Sequence, residues 1–190
     1  MEEFLLFFLS IFVFFIIMNK LYKKGEVLSI KSSIDNRTYI VRKVKDAKMA
    51  SDKLATFNKD ILRLIGSLDE HEKEGILDLQ TNYNPNTVSE TLRGSKYTSY
   101  SVNKGEKLSL CIRKEDDTFI DHNTILFVVI HELAHIMTEE IGHTPLFWEN
   151  MRYLLEKAED EKIYRPVNYV EEPVRYCGME INTTPYDFSE

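Results

Sequence analysis

The alternation of apolar and polar positions predicts strands and helices after an apolar N-terminal start. Residues 30–34 and 38–41 bracket Asp35 and Asn36, two residues typical of tight turns, so these stretches predict a β-hairpin. In residues 46–68, apolar side chains recur at alternating intervals of three and four, which indicates an amphipathic helix. Such a helix packs its apolar stripe against a core.

The same pattern predicts a second hairpin further along the chain. Residues 97–102 and 107–113 flank the turn sequence Asn103-Lys104-Gly105, and apolar residues alternate along the second of these strands. We expect one of the two strands to lie at a sheet edge that pairs with an extended peptide, although an internal strand fits the pattern equally well. Residues 75–94, which precede this hairpin, are polar and irregular and predict a loop.

An apolar run at residues 125–130 predicts a helix that is buried nearly all round. Asp121 or Asn123 can cap its first turn, and we expect the helix to extend through Glu139 before Gly142 ends it. Thr144 and Pro145 are typical of the start of a helix and predict the next one over residues 146–158. The elements together predict an α+β fold, with a small antiparallel sheet packed on the buried helix.

The first 24 residues predict a membrane anchor. Residues 4–22 are almost continuously apolar and about long enough to span a bilayer, and they lack the small-residue cleavage site of a signal peptide. Lys20, Lys23 and Lys24 follow the apolar stretch, so the positive-inside rule places the remaining chain in the cytoplasm. We therefore expect a single-pass membrane protein with one domain, residues 25–190, on the cytoplasmic side.

The motif His131-Glu132-Leu133-Ala134-His135 lies at the end of the buried helix and carries the chemistry. Histidines four positions apart on a helix project from one face and can share one Zn²⁺ ion. A carboxylate between them lies beside the open coordination position, where it can act as general base toward a water molecule. The motif therefore predicts a zinc peptidase in which Glu132 is catalytic. Incidental histidines on a core helix are the alternative.

A third protein ligand is required, and His143 is the leading candidate. It follows Gly142 at a tight corner between two helices, from which its ring can fold back toward the first helix. Glu149, Glu156 or a later aspartate are the alternatives. Tyr164, Tyr169 or Tyr176 can in principle assist an oxyanion, but packing is the simpler role for each, and Met179 is expected in the core or beneath the zinc.

These motifs resemble the WLM metallopeptidases and, more distantly, the SprT-like ones. The resemblance lies in residues 129–135, in Gly142-His143 and in Phe147-Trp148, and it extends upstream through residues 100–113. It implies a zincin-like fold, a protein or peptide substrate, and His143 as the third zinc ligand. The gap between His135 and His143 is about two residues longer than is common in that family. Similar chains with an apolar N-terminus occur in large DNA viruses, which implies that the membrane is a viral one.

Charge and cysteine content bear on which partners the protein binds and on the state of its thiols. The net charge of −7 and a pI near 5.3 argue against a nucleic-acid partner, because proteins that bind nucleic acids carry clustered Lys and Arg. Cys111 and Cys177 are far apart in sequence and are expected as free thiols. The main hypothesis is a membrane-anchored zinc endopeptidase. The alternatives are a DNA-associated protease of the same family and a non-catalytic membrane protein stabilised by zinc.

Overall fold

The computed structural model describes residues 8, 9, 11–14, 16 and 25–188. In the continuous part, from residue 25 onward, runs of two or three strands are separated by pairs of helices. The strands are β1 (Val27–Lys31), β2 (Thr38–Arg42), β3 (Val88–Glu90), β4 (Tyr100–Val102), β5 (Lys107–Leu110), β6 (Val174–Tyr176) and β7 (Met179–Ile181). The helices are α1 (Ala47–Ser67), α2 (Ile76–Asn82), α3 (His122–Met137) and α4 (Pro145–Asp160).

The α+β class and both predicted hairpins are confirmed, but the expectation of an antiparallel sheet is wrong. The main sheet has the order β1-β2-β3-β5-β4. The β1–β2 and β4–β5 pairs are antiparallel hairpins, whereas β3 lies between them and runs parallel to both β2 and β5. Strands β6 and β7 form a separate antiparallel pair.

The parallel strand arises from the long connection between β2 and β3. Helices α1 and α2 fill this connection, and a helical crossover is what returns a chain to a sheet in the parallel direction. Both α2 and β3 fall within residues 75–94, where the sequence predicted only a loop. Seven and three residues are too few to show a helical or an alternating period against a polar background.

Helix α3 runs through the centre of the domain, as its apolar sequence predicts. Asp121 caps its first turn by accepting a hydrogen bond from the Thr124 amide at 3.0 Å. The helix ends at Met137, two residues before the predicted end, because Thr138 has an extended backbone. Its apolar side chains pack among those of α1, α2 and α4 in one core.

The C-terminal end of α3 lies directly against the start of α2. Gly75, which precedes α2, has a φ of +86°, and a Cβ atom built there would lie 1.9 Å from the carbonyl oxygen of Met137. No side chain fits into that space. Glycine is therefore required at this position both for its backbone conformation and for the close approach of the two segments.

A network of buried charges ties the end of the sheet to the start of α1. Arg113 is almost fully buried, and its guanidinium donates to Glu90 at 2.8 Å and to Asp46 at 2.9 Å. Arg42 donates through Nε to the same Glu90 carboxylate at 2.9 Å, and its Nη1 atom lies 3.4 Å from Oδ1 of Asp117. Each charged side chain of this network thus has a partner of opposite sign.

The expectation of a single-pass membrane protein is contradicted. Among the residues that the structure describes, no helix is both long and apolar enough to cross a bilayer. Most of the apolar stretch at residues 4–22 lies outside the described residues, and the described ones between 8 and 16 are helical. Length and apolarity of the sequence were the basis of the predicted span.

The expectation of two free thiols is also wrong, because Cys111 and Cys177 form a disulfide bond. Cys111 directly follows β5, and Cys177 lies in the turn between β6 and β7. The fold brings their Cα atoms to 6.5 Å, which is within the range that a disulfide spans. A separation of 66 residues concealed this proximity in the sequence.

Candidate metal centre

Helix α3 presents His131 and His135 one turn apart on the same face, near its C-terminal end. Their ring centroids lie 4.8 Å apart, and the two rings are nearly perpendicular. This arrangement follows from the helical repeat, which places residues i and i+4 one above the other. The helix thus supplies two imidazoles from a rigid and well-packed element.

His143 reaches the same place from the loop between α3 and α4. Gly142 has a φ of +92°, and Thr144 caps α4 by accepting a hydrogen bond from the Phe147 amide at 3.3 Å. These two features fix the corner on either side of His143. Its ring centroid lies 4.8 Å from that of His131 and 5.0 Å from that of His135.

The three imidazoles converge so that one ligand atom from each lies within 4.8 Å of the other two. The Nε2 atoms of His131 and His143 lie 3.1 Å apart. Two nitrogens that share a tetrahedral ion at 2.0–2.1 Å are expected to lie roughly 3.4 Å apart. The cluster therefore has the size that a single metal ion requires.

The ring of Phe147 lies against all three imidazoles and is fully buried. Its centroid is 4.9 Å from that of His131, 4.3 Å from that of His135 and 4.7 Å from that of His143. In the sequence Phe147 was noted only in the Phe147-Trp148 pair that carries the family resemblance, which gave no sign of this contact. Phe147 forms an apolar wall that keeps water from one side of the cluster.

This environment keeps two of the imidazoles neutral. Burial, together with the neighbouring rings of His135 and His143, lowers the pKa of His131 to about 3. Burial also lowers the pKa of His135 to about 4, with a contribution from His143. Neutral imidazole is the form that binds a metal ion, so the rings are held in the state required for coordination.

Glu132 lies between the two helical histidines and is 8% exposed. Its Oε2 atom accepts a hydrogen bond from the Ser101 amide at 3.0 Å. Burial raises the pKa of Glu132 to about 7, while the hydrogen bonding from Ser101 opposes this increase. No cation pairs with this carboxylate in the described part of the chain.

The hydrogen bond from Ser101 also locates the open edge of the sheet. Strand β4 is the last in the sheet order and pairs only with β5. Its Ser101 amide donates to Glu132 on α3, so this edge strand lies beside the helix that carries His131 and His135. Sequence reasoning could not identify Ser101, because the group involved is a main-chain amide that every residue except proline carries.

The other residues that the sequence suggested as zinc ligands or as helpers at the site have other partners in the structure. The Glu149 side chain pairs with Lys73, and Glu156 pairs with Arg152 at 2.8 Å. Tyr164 and Tyr169 pack against Phe127, as expected of packing residues. The expectation for Met179 is wrong, since it is 49% exposed on β7 and its sulfur accepts a hydrogen bond from Thr98.

The residues present fit a zinc ion. Three imidazole ligands are typical of a catalytic zinc site, in which a fourth position stays open, and an adjacent carboxylate with no counterion suits proton transfer. A structural zinc site would instead need a fourth protein ligand. Among the described residues the cluster contains only the three histidines. The arrangement is that of a metallopeptidase-like centre on an α+β domain.

Comparison with known proteins supports this class. The family model described as the WLM domain matches residues 88–175, which include all three histidines, Glu132 and Ser101. An uncharacterised protein of Acanthamoeba polyphaga mimivirus is 32% identical over 171 residues, and the match covers 84% of each chain. The chain belongs to the WLM family, as its motifs predicted.

Two further matches, one by sequence and one by structure, are to proteins named Wss1. The DNA-dependent metalloprotease WSS1 homolog 2 of Schizosaccharomyces pombe is 31% identical over 94 residues, which are 48% of this chain and 33% of that protein. The crystal structure of Wss1 from Saccharomyces cerevisiae gives a TM-score of 0.50 at 18% identity and covers 64% of this chain and 87% of that one. At this identity the structural similarity shows the shared fold alone.

Proposed function

We propose that this protein is a zinc-dependent endopeptidase that hydrolyses peptide bonds in protein substrates. The observation that carries the proposal is the convergence of three imidazoles within 4.8 Å beside a buried carboxylate that has no counterion among the described residues. His131, His135 and His143 would hold Zn²⁺. When bound, the ion would polarise the substrate carbonyl and make a water molecule easier to deprotonate.

The residues around the cluster have separate roles in this proposal. Glu132 accepts the proton of the attacking water and passes it to the leaving amine, a step for which it lies on the correct face of α3. Phe147 excludes water from the inner side of the cluster. Strand β4 lies beside Glu132 at the edge of the sheet, and we propose that its main-chain groups other than the Ser101 amide, which donates to Glu132, bind an extended segment of substrate.

The test is cleavage of an unfolded protein by the full-length chain. We expect activity with one equivalent of Zn²⁺, loss of activity with a chelator, and recovery when Zn²⁺ is returned. Glu132→Gln keeps the size of the side chain but removes the base, so kcat should fall by about 10²–10⁴-fold while zinc binding is retained. Zinc binding without cleavage of any unfolded substrate would instead indicate a non-catalytic zinc protein.

A DNA-associated protease is the second candidate. It is favoured by the match to a relative whose name describes a DNA-dependent metalloprotease, although that match covers 33% of the relative. The net charge of −7 weighs against it. Peptidase activity that rises several-fold on adding DNA, with an effect that decreases steeply with salt, would support this candidate over a DNA-independent enzyme.

A further inference from the structure

The hydrogen bond between Ser101 and Glu132 depends on a strand that has little support of its own. Strand β4 is three residues long, lies at the edge of the sheet and is paired on one side only. A three-residue strand that is paired on one side makes only a few hydrogen bonds to its neighbour. Some other contact must therefore hold β4 at the position where its amide meets the carboxylate.

That contact is a closed set of hydrogen bonds just before β4. The Tyr176 hydroxyl donates to the carbonyl oxygen of Cys111 at 2.9 Å and lies 2.6 Å from the hydroxyl of Ser99. The Cys111 amide donates to the Ser99 hydroxyl at 2.9 Å. Since the Tyr176 proton is used by the carbonyl, the Ser99 hydroxyl donates to Tyr176. Each polar atom in the set has a partner.

The set is buried and tied to the rest of the domain. Tyr176 is fully buried, and Ser99 is 8% exposed. The neighbouring residue Cys177 is joined to Cys111 by the disulfide bond. The hairpin of β6 and β7 is thereby fixed to the residue that follows β5, and its Tyr176 hydroxyl holds Ser99.

We propose that Tyr176, acting through Ser99, is a positioning residue for the peptidase reaction. Tyr176 fixes Ser99, and Ser99 lies two residues before Ser101, whose amide holds the Glu132 carboxylate. Tyr176 does not touch the substrate, because both partners of its hydroxyl belong to the protein. The inference rests on the proposed function and adds the residues that orient its general base.

The test compares Tyr176→Phe with Tyr186→Phe in the full-length, zinc-loaded protein. Tyr186 is a matched control, because its buried hydroxyl has no hydrogen-bond partner among the described residues. Tyr176→Phe should lower kcat by about 10- to 100-fold through misplacement of the base, with KM and zinc stoichiometry changed little. Tyr186→Phe should stay within about twofold of the wild type.

Ser99→Ala provides a second test should the Tyr176 variant fold poorly. It should lower kcat in the same way, and the double variant should lose no more than the larger single loss, since both changes break one set of hydrogen bonds. Equal kcat values for Tyr176→Phe, Ser99→Ala and Tyr186→Phe would overturn the proposal. Losses of kcat that multiply in the double variant would also overturn it.

A measurement without activity separates this inference from the proposed function. Amide hydrogen exchange at Ser101, resolved by NMR, should be slow in the wild type and at least about tenfold faster in Tyr176→Phe, because the amide loses its fixed acceptor. Tyr186→Phe should leave the rate unchanged. Unchanged exchange in Tyr176→Phe would overturn the positioning role even in an active enzyme. Faster exchange would support the role even in a protein that cleaves nothing.

Discussion

Two clusters of buried polar side chains in this molecule differ in whether their groups have charge partners. We call a cluster complete when each charged group in it has a partner of opposite sign, and incomplete when it has none. Around Arg113, the carboxylates of Glu90 and Asp46 neutralise the guanidinium and accept its hydrogen bonds. Around His131, three imidazoles face one another, and no carboxylate within salt-bridge distance pairs with them among the described residues. A complete cluster thus supports the fold, whereas a convergent cluster that lacks a charge partner is suited to bind something else.

The largest expected effect tests the complete cluster. Arg113→Met should lower the free energy of unfolding by about 3–5 kcal/mol, because it breaks the buried ion pair with Glu90, which keeps only Arg42, and removes the partner of Asp46. Denaturant unfolding measures this change. Arg152→Met is the control, since Arg152 is half exposed in its ion pair, and it should cost at most about 1 kcal/mol. A loss at Arg113 no larger than that at Arg152 would mean that the network does not support the fold.

The second prediction concerns the packing beneath the histidine helix. Gly75→Ala should cost about 3 kcal/mol, since the new methyl group meets the carbonyl of Met137 and the backbone has a positive φ. Gly94→Ala separates the two causes, because Gly94 has a φ of +71° but no atom within 4 Å of the place where a Cβ would lie. Its cost should be about 1–2 kcal/mol. Thermal or denaturant unfolding of both variants is the measurement, and equal costs would show that the close approach is unimportant.

The third prediction tests the incomplete cluster. Zn²⁺ at a hundredfold excess over its Kd should stabilise the wild type by about 2.7 kcal/mol, because it binds the folded state preferentially. At the same concentration, His135→Ala should gain almost nothing, since it removes a ligand. His71→Ala is the control, as its side chain is 85% exposed, and it should respond like the wild type. Full zinc stabilisation of His135→Ala would argue against the assigned ligands.

The smallest expected effect is the acid sensitivity of the complete cluster. Hydrogen bonding from Arg113 holds the pKa of Asp46 below its ordinary value. The ionised form is thus favoured by folding, and its contribution is present above the unfolded pKa near 3.9 and lost as pH falls through the folded pKa. Comparing Asp46→Asn with the wild type at pH 7 and pH 3 should show a gap of at most about 1 kcal/mol that shrinks in acid. The gap should be absent in an Arg113→Met background.

Sequence was a good guide to elements with a strong period and to chemistry carried by local motifs. Helix α1 lies within one residue of its predicted bounds because an apolar stripe of 21 residues has little ambiguity. The spacing of His131 and His135 needed only the helical repeat. The corner at His143 was predicted from Gly142 and Thr144, which act through local backbone conformation.

The parts that sequence did not predict depend on contacts between distant residues. The position of β3 depends on a crossover, and the disulfide depends on where the β6–β7 hairpin packs. The contact between Ser101 and Glu132 involves a main-chain amide 31 residues away, with no side-chain pattern to reveal it. The predicted membrane span is contradicted on a narrower basis, since no helix among the described residues is long and apolar enough to cross a bilayer.

The most direct test of the central claim is X-ray absorption at the zinc edge of the full-length protein loaded with one equivalent of Zn²⁺. We expect three imidazole nitrogens and one further light atom at about 2.0–2.1 Å, with one nitrogen lost in His143→Ala. A coordination sphere that contains sulfur, or one that His143→Ala leaves unchanged, would contradict the assignment of the three histidines as the zinc ligands.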